Sequence, residues 1–169
     1  MILEDTMLRN LSQEGAEKLF QLYSSGEYQK YFRHFDDFLN KEQLLQQAIS
    51  GGNPMEIVDN NQIVGFVQVR VENKSRVAHL GTILDKAHQG KSRALLAVLE
   101  TADYLFNKGI LRIVCVCCRD DERTMKLLQK GGFLPEARMR GNCYCDGRIR
   151  DELRWVMPRE VFYKTYKGR

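Results

Sequence analysis

The chain has 169 residues, 43 % hydrophobic and 28 % charged, enough for one domain that buries roughly 70 % of its unfolded surface. A net charge of +4 without a lysine–arginine cluster or interleaved aromatics argues against nucleic-acid binding. No apolar run approaches the ~20 residues of a bilayer span, and no basic-then-apolar leader is present, so a cytoplasmic location is expected.

The predicted elements begin with a helix capped by Ser12 and running to about Tyr23. Tyr28 to Phe38 is aromatic-rich and reads as a short helix or turn. Asn40 with Gln43 forms a capping box for a second helix that stops at Gly51-Gly52. Met55–Val58 and Gln62–Val71 read as strands joined by Asp59-Asn60-Asn61, followed by a strand from Val77 to Leu84. Ala94 to Phe106 places Leu95, Leu99, Ala102 and Phe106 on one helical stripe. Leu111–Cys118 is a β-rich run, and Asp120 or Asp121 can cap a helix ending at Gly131-Gly132. Phe133–Cys145 and Arg148–Met157 flank Asp146-Gly147, a type I′ hairpin signal, and Pro158 suits the first turn of a last short helix. This order, with no repeat or linker, gives a single mixed α/β domain.

Charge is unevenly placed. Residues 1–60 hold ten acidic and five basic side chains, and residues 61–169 hold 12 and 21. The second part suits an anionic ligand, the first a cationic one. The anion site expected is Gln89-Gly90-Lys91-Ser92-Arg93-Ala94, between a strand and a helix. There backbone N–H groups and the helix dipole converge, Gly90 permits close approach, and Lys91 and Arg93 add charge. Two templates compete. Gly90-Lys91-Ser92 could end a P-loop, but the glycine required five residues earlier is Asp85. The alternative is the pyrophosphate loop [QR]-x-x-G-x-[GA], in which Ser92 replaces the usual fourth-position glycine.

Other blocks favour the second template. Ile63-Val64-Gly65-Phe66-Val67, Asp85 to Gly90, Asp121 to Thr124 with Leu127 to Phe133, Pro135-Glu136-Ala137 and Asp146 to Asp151 stand in order between Met55 and Met157. In these blocks the chain resembles the GNAT acyltransferase superfamily, in the branch of ribosomal-protein N-terminal acetyltransferases and spermidine acetyltransferases. The resemblance implies a mostly antiparallel sheet whose fourth and fifth strands splay apart, helices on both faces, and acetyl-CoA as cofactor. It divides the chain into a helical acceptor-side segment (1–54), a cofactor-binding core (55–157) and a C-terminal helix (158–169).

The activity implied is direct acetyl transfer to a primary amine, either a protein N-terminus or a small polyamine-like cation; the acidic first 60 residues favour the cation. The diphosphate is expected on the loop residues 89–94, and the pantetheine arm along Ile83 and Leu84. His79 stands ten residues before Gln89, where relatives carry a catalytic glutamate, and an imidazole can serve as base near neutrality. Thr124 matches a serine column whose hydroxyl donates to the leaving sulfur, while Leu128 occupies the tyrosine position used by others. Asp121 stands where an asparagine contacts the cofactor. The departures at Ser92, Asp121, Leu128 and the missing glutamate keep open a catalytically inactive CoA-binding module, with a P-loop phosphotransferase as a further alternative.

No C-x-x-C joins Cys115, Cys117, Cys118, Cys143 and Cys145, and strand alternation separates Cys118 from Cys115 and Cys117. No metal is expected, and the cysteines read as small buried hydrophobes. Oligomeric state is not legible.

Overall fold

A computed structural model describes residues 6–25, 42–43, 46, 53–90, 92–145 and 147–168. Its strands are β1 (Thr6–Asn10), β2 (Asn53–Asp59), β3 (Gln62–Glu72), β4 (Val77–Leu84), β5 (Arg112–Cys118), β6 (Leu134–Cys145) and β7 (Arg148–Pro158). The helices are α1 (Gln13–Ser24), α2 (Arg93–Asn107), α3 (Glu122–Lys130) and α4 (Arg159–Phe162), the last continuing as a π turn over Tyr163–Lys167. All strands join one sheet in the order β1-β2-β3-β4-β5-β7-β6, antiparallel except for β4 and β5. The expected aromatic segment Tyr28–Phe38 lies outside the described residues. So does the helix from Asn40 to Gly51-Gly52, apart from residues 42, 43 and 46, which are helical.

One expected feature needs correction. The first 54 residues are not helical throughout, because Thr6–Asn10 forms β1 and pairs with β2 from Thr6↔Asp59 to Asn10↔Met55. Two adjacent apolar residues among polar ones carry no period-2 signal; pairing with β2 makes this segment a strand. A P-loop phosphotransferase is also set aside. The loop at Gly90 joins the one parallel pair in an otherwise antiparallel sheet, and Asp85 accepts a hydrogen bond from Lys18 of α1 at 2.5 Å.

The sheet has a core on each face. Ala78, Leu80 and Leu84 of β4 pack with Ala97, Val98, Ala102 and Phe106 of α2, together with Ile113, Cys115 and Cys117 of β5. On the other face Leu19, Leu22 and Tyr23 of α1 pack with Val58, Phe66 and Ile83. Alternation along β4 thus sends its even-numbered residues toward α2, and Ile83 toward α1.

Glu56 of β2 fixes where α1 begins. Its carboxylate is fully buried and accepts from the Ser12 N–H and hydroxyl, each at 2.6 Å, and from the Arg9 guanidinium. Ser12 in turn caps α1 by accepting from the Gly15 N–H at 3.0 Å, the cap expected from sequence. Gly15 is needed by close approach: a Cβ there would lie 1.9 Å from a Glu56 oxygen. Burial pushes the Glu56 pKa up, but the bonds from Ser12 and Arg9 outweigh it and leave the carboxyl below its usual range.

Two substitutions test this. Glu56→Gln is expected to cost about 2–3 kcal/mol in urea unfolding, by weakening bonds made to a buried charge. Gly15→Ala should also destabilise, because the carboxylate must shift. The charge-dependent part of the Glu56 contribution is present above the unfolded carboxyl pKa and lost as pH falls through the lower folded value, so the E56Q deficit should shrink in acid.

Candidate functional site

β4 and β5 are parallel but, among the described residues, pair at three positions only: Val77↔Arg112, Ala78↔Ile113 and His79↔Val114. Beyond His79 they diverge, while β4 keeps eight pairs with β3 and β5 keeps seven with β7. Alternate N–H and C=O groups of Leu80–Leu84 therefore face a gap rather than a ladder. This is the splay that the sequence resemblance implies. The gap opens into a cleft of about 620 Å³ between β4, the start of α2 and the start of α3.

Two residues of the loop over the cleft take left-handed backbone. Gly90 has φ +83° and Ser92 φ +61°. Ser92 thus carries a side chain in the left-handed region, at a cost of about 1–2 kcal/mol, where the template prefers glycine. α2 has no side-chain cap, and its first intrahelical bond runs from the Leu96 N–H to the Ser92 carbonyl at 3.0 Å. The N–H groups of Arg93, Ala94 and Leu95 precede that bond, and all three residues line the cleft. Gln89 donates to the Leu84 carbonyl at 3.1 Å, closing the loop against the end of β4.

The expected side chains divide as follows. Ile83, Leu84, Gln89, Gly90, Ser92 and Ala94 line the cleft. Lys91 lies outside the described residues. Arg93 lines the cleft too, but its guanidinium pairs with Asp59 at the end of β2, where the two side chains are only 13 % and 9 % exposed. Its charge is spent on holding α2 against β2. Asp121 and Thr124 line the opposite wall. Asp121 caps α3, accepting from the Thr124 N–H at 3.0 Å and from the Thr124 hydroxyl at 2.6 Å.

Cations not singled out from sequence complete the wall. Arg123, Lys126 and Lys130 of α3 line the cleft; Lys130 donates to the Ser92 hydroxyl at 3.0 Å, and Arg123 to the Gln89 side chain. Their spacing of three and four residues marks one helical face, which is the signal that could have found them.

His79 sits apart, at the apex where pairing stops, about 17 Å along β4 from Leu84. It faces away from α2, and its Nε2–H donates a 2.9 Å hydrogen bond to the Glu72 carboxylate of β3, whose pKa is held below the usual range. Burial lowers its pKa, the Arg70 guanidinium lowers it further, Glu72 opposes both, and Arg154 of β7 adds to the lowering. The net result is an imidazole below its ordinary value, neutral at pH 7.

The cysteines behave in two ways. Cys115 and Cys117 are buried among apolar neighbours, with burial pushing their thiols up to about 12 and about 11. Cys118 and Cys143 are not simple buried hydrophobes as the sequence suggested; they are joined in a disulfide between β5 and β6. Among the described residues no group of acidic, histidine or cysteine side chains could hold a metal, and no helix is long and apolar enough to cross a membrane.

Comparison with known proteins agrees with this geometry. A family model described as an acetyltransferase (GNAT) domain matches residues 5–134. A Bacillus subtilis (strain 168) protein described as the uncharacterized N-acetyltransferase YoaA is 26 % identical over 172 residues, 91 % of this chain and 94 % of that protein. Among solved structures, spermidine N-acetyltransferase from Vibrio cholerae in complex with CoA and spermine superposes with a TM-score of 0.84 at 17 % identity, covering 94 % of this chain and 98 % of that one. The ribosomal-protein-S5-alanine acetyltransferase from Vibrio fischeri gives 0.79 at 20 % identity, covering 95 % and 96 %. At such identities the structural likeness establishes the fold.

Two measurements check the geometry. The His79 imidazole should titrate below 6.5 by NMR; Glu72→Gln should move it lower still and Arg70→Gln back up, and the opposite signs would place these groups wrongly. Asp59→Asn leaves Arg93 buried without its counter-charge and should cost about 3 kcal/mol in urea unfolding.

Proposed function

Because the chain belongs to the GNAT acetyltransferase family, we propose that its cleft binds acetyl-CoA and passes the acetyl group directly to a primary amine. The observation that carries this reading is the unpaired edge of β4, with the uncapped start of α2 at one end and His79, at the last pair with β5, at the other. The loop fits a diphosphate through donors lacking intrahelical partners, two residues at positive φ, and Lys130 reaching Ser92 across the mouth. When bound, acetyl-CoA supplies an activated acetyl thioester.

The remaining work falls to the chain. The open edge of Leu80–Leu84 offers amide partners to the pantetheine arm, and an N–H there can hold the thioester oxygen as it gains charge. The neutral His79 imidazole takes the proton from the incoming ammonium, so that a free amine lone pair forms the C–N bond as the C–S bond breaks. Glu72, bonded to the ring, orients it and stabilises the imidazolium that results. Thr124 gives its proton to the departing sulfur and is restored by the second proton that the newly acylated nitrogen loses, so that a neutral amide and a free thiol result. In the resting structure its hydroxyl points at Asp121, and rotation about the Cβ–Oγ1 bond re-aims it. Lys126 and Lys130 supply the positive potential that Arg93 does not.

The acceptor is a protein N-terminal amine or a small polyamine-like cation. The same reading sets the reaction in the cytoplasm, where the Cys118–Cys143 pair would be held reduced.

Thiol release from acetyl-CoA, followed over a panel of amines, tests the assignment. His79→Ala is expected to lower kcat by roughly 10²-fold or more, and Thr124→Ala to lower it while Thr124→Ser retains it, with coenzyme A affinity unchanged in each. Full kcat in both alanine variants would remove these two residues from the mechanism.

A further inference from the structure

Among the described residues, the sheet face that carries His79 has exposed backbone and apolar positions flanked by two guanidiniums where an acceptor would enter. Two residues beyond the last β4–β5 pair, Gly81 is exposed with nothing within 4 Å of a Cβ built there, and Val116 on β5 is 40 % exposed. On β7, Trp155 is opposite Cys115 and belongs to the α2-side core, so its neighbour Arg154, opposite Val116, emerges on the His79 face. Arg70 is opposite His79 on β3. The floor formed by Gly81 and Val116 thus lies between two guanidiniums.

These two cations are not equivalent. Arg70 has Glu72 at 3.7 Å, and Glu72 is also bonded to His79. Arg154 makes no ion pair within 4 Å among the described residues, and its buried Nε has no hydrogen-bond partner. Glu152, next along that face, lies further from His79, opposite Cys118. The influence of both guanidiniums at the His79 ring shows that their charge reaches the apex. A second positive group on the acceptor would be repelled here, whereas a carboxylate would find a planar, bidentate partner. Two acids behind the expectation of a cationic acceptor, Glu56 and Asp59, are buried in their own ion pairs.

We infer that the acceptor is an amine that also bears a carboxylate, seated with its carboxylate on Arg154 and its amine toward His79. Arg70 closes the other side. This rests on the reading that acetyl transfer occurs at the splay apex, and it sets aside the polyamine. The carboxylate can belong to a free amino acid or to an acidic side chain beside a peptide N-terminus; the chemistry recognised is the same.

The test uses the full chain, acetyl-CoA and paired acceptors: β-alanine against β-alaninamide, Ala-Glu-amide against Ala-Gln-amide, and spermidine. In at least one pair the acid should exceed its amide by tenfold or more in kcat/KM, with spermidine below it; the pair that responds identifies the source of the carboxylate. Arg154→Gln should collapse that acid-to-amide ratio toward one, and Arg154→Lys should restore part of it, with coenzyme A affinity serving as the check on folding. Equal rates for acid and amide in both pairs, or a preference for spermidine, would overturn the inference even if R154Q does not fold. If no amine is acetylated while coenzyme A binds, the transfer reading fails by itself. Calorimetry of β-alanine and of Ala-Glu-amide on the coenzyme-loaded protein then decides the carboxylate site: binding of either weakened tenfold or more by R154Q upholds it, and binding of neither, or binding that R154Q leaves unchanged, overturns it.

Discussion

The separation of β4 from β5 after three pairs is the constraint on which everything else in this molecule depends. A sheet normally satisfies its backbone groups by lateral pairing, and five residues of β4 forgo this on one side. They can do so because β3 keeps β4 in register along its whole length and β7 does the same for β5. The two halves of the sheet therefore meet at a short seam rather than a full ladder. At one end of the gap lies a helix start without a cap, at the other an imidazole and two guanidiniums. Neither end is reached by the other through sequence proximity; the strand direction aligns them.

Charge around the gap is distributed by burial. Arg93, the cation nearest the helix start, is neutralised by Asp59 and works as a tie between α2 and β2. The positive potential over the loop comes instead from α3, where exposed Lys130 reaches the Ser92 hydroxyl and exposed Lys126 pairs only with the exposed Glu122 at 3.3 Å. Such side chains can bind without first breaking a buried pair, so their charge is available at lower cost than that of Arg93. Thr124 and Asp121 show the same economy, since the bonds that cap α3 also hold the hydroxyl at the cleft wall.

Much of this arrangement was legible in the residues. Ser12 as a cap, the apolar stripe of α2 and the β4 and β5 runs all follow from local chemistry, and each is found. β1 was not legible, because TMLRN becomes a strand only through β2. Nor was the fate of Arg93, since Asp59 is 34 positions away and the pair exists only in the folded chain. Lys130 was hidden for a different reason: the loop motif draws attention to its own cations, whereas the side chain that reaches Ser92 belongs to a helix across the cleft. The Cys118–Cys143 bond joins residues separated by 25 positions, and no spacing rule announces it.

That bond makes the molecule sensitive to its surroundings in a way unrelated to transfer chemistry. The covalent ring it closes contains the whole of α3, and on chain-entropy grounds a ring of this size restrains the unfolded polypeptide by about 3.5 kcal/mol. Samples prepared with and without reductant are therefore two species of one sequence, distinct in thermal resistance and, after a protease nick within α3, in whether the severed pieces stay attached.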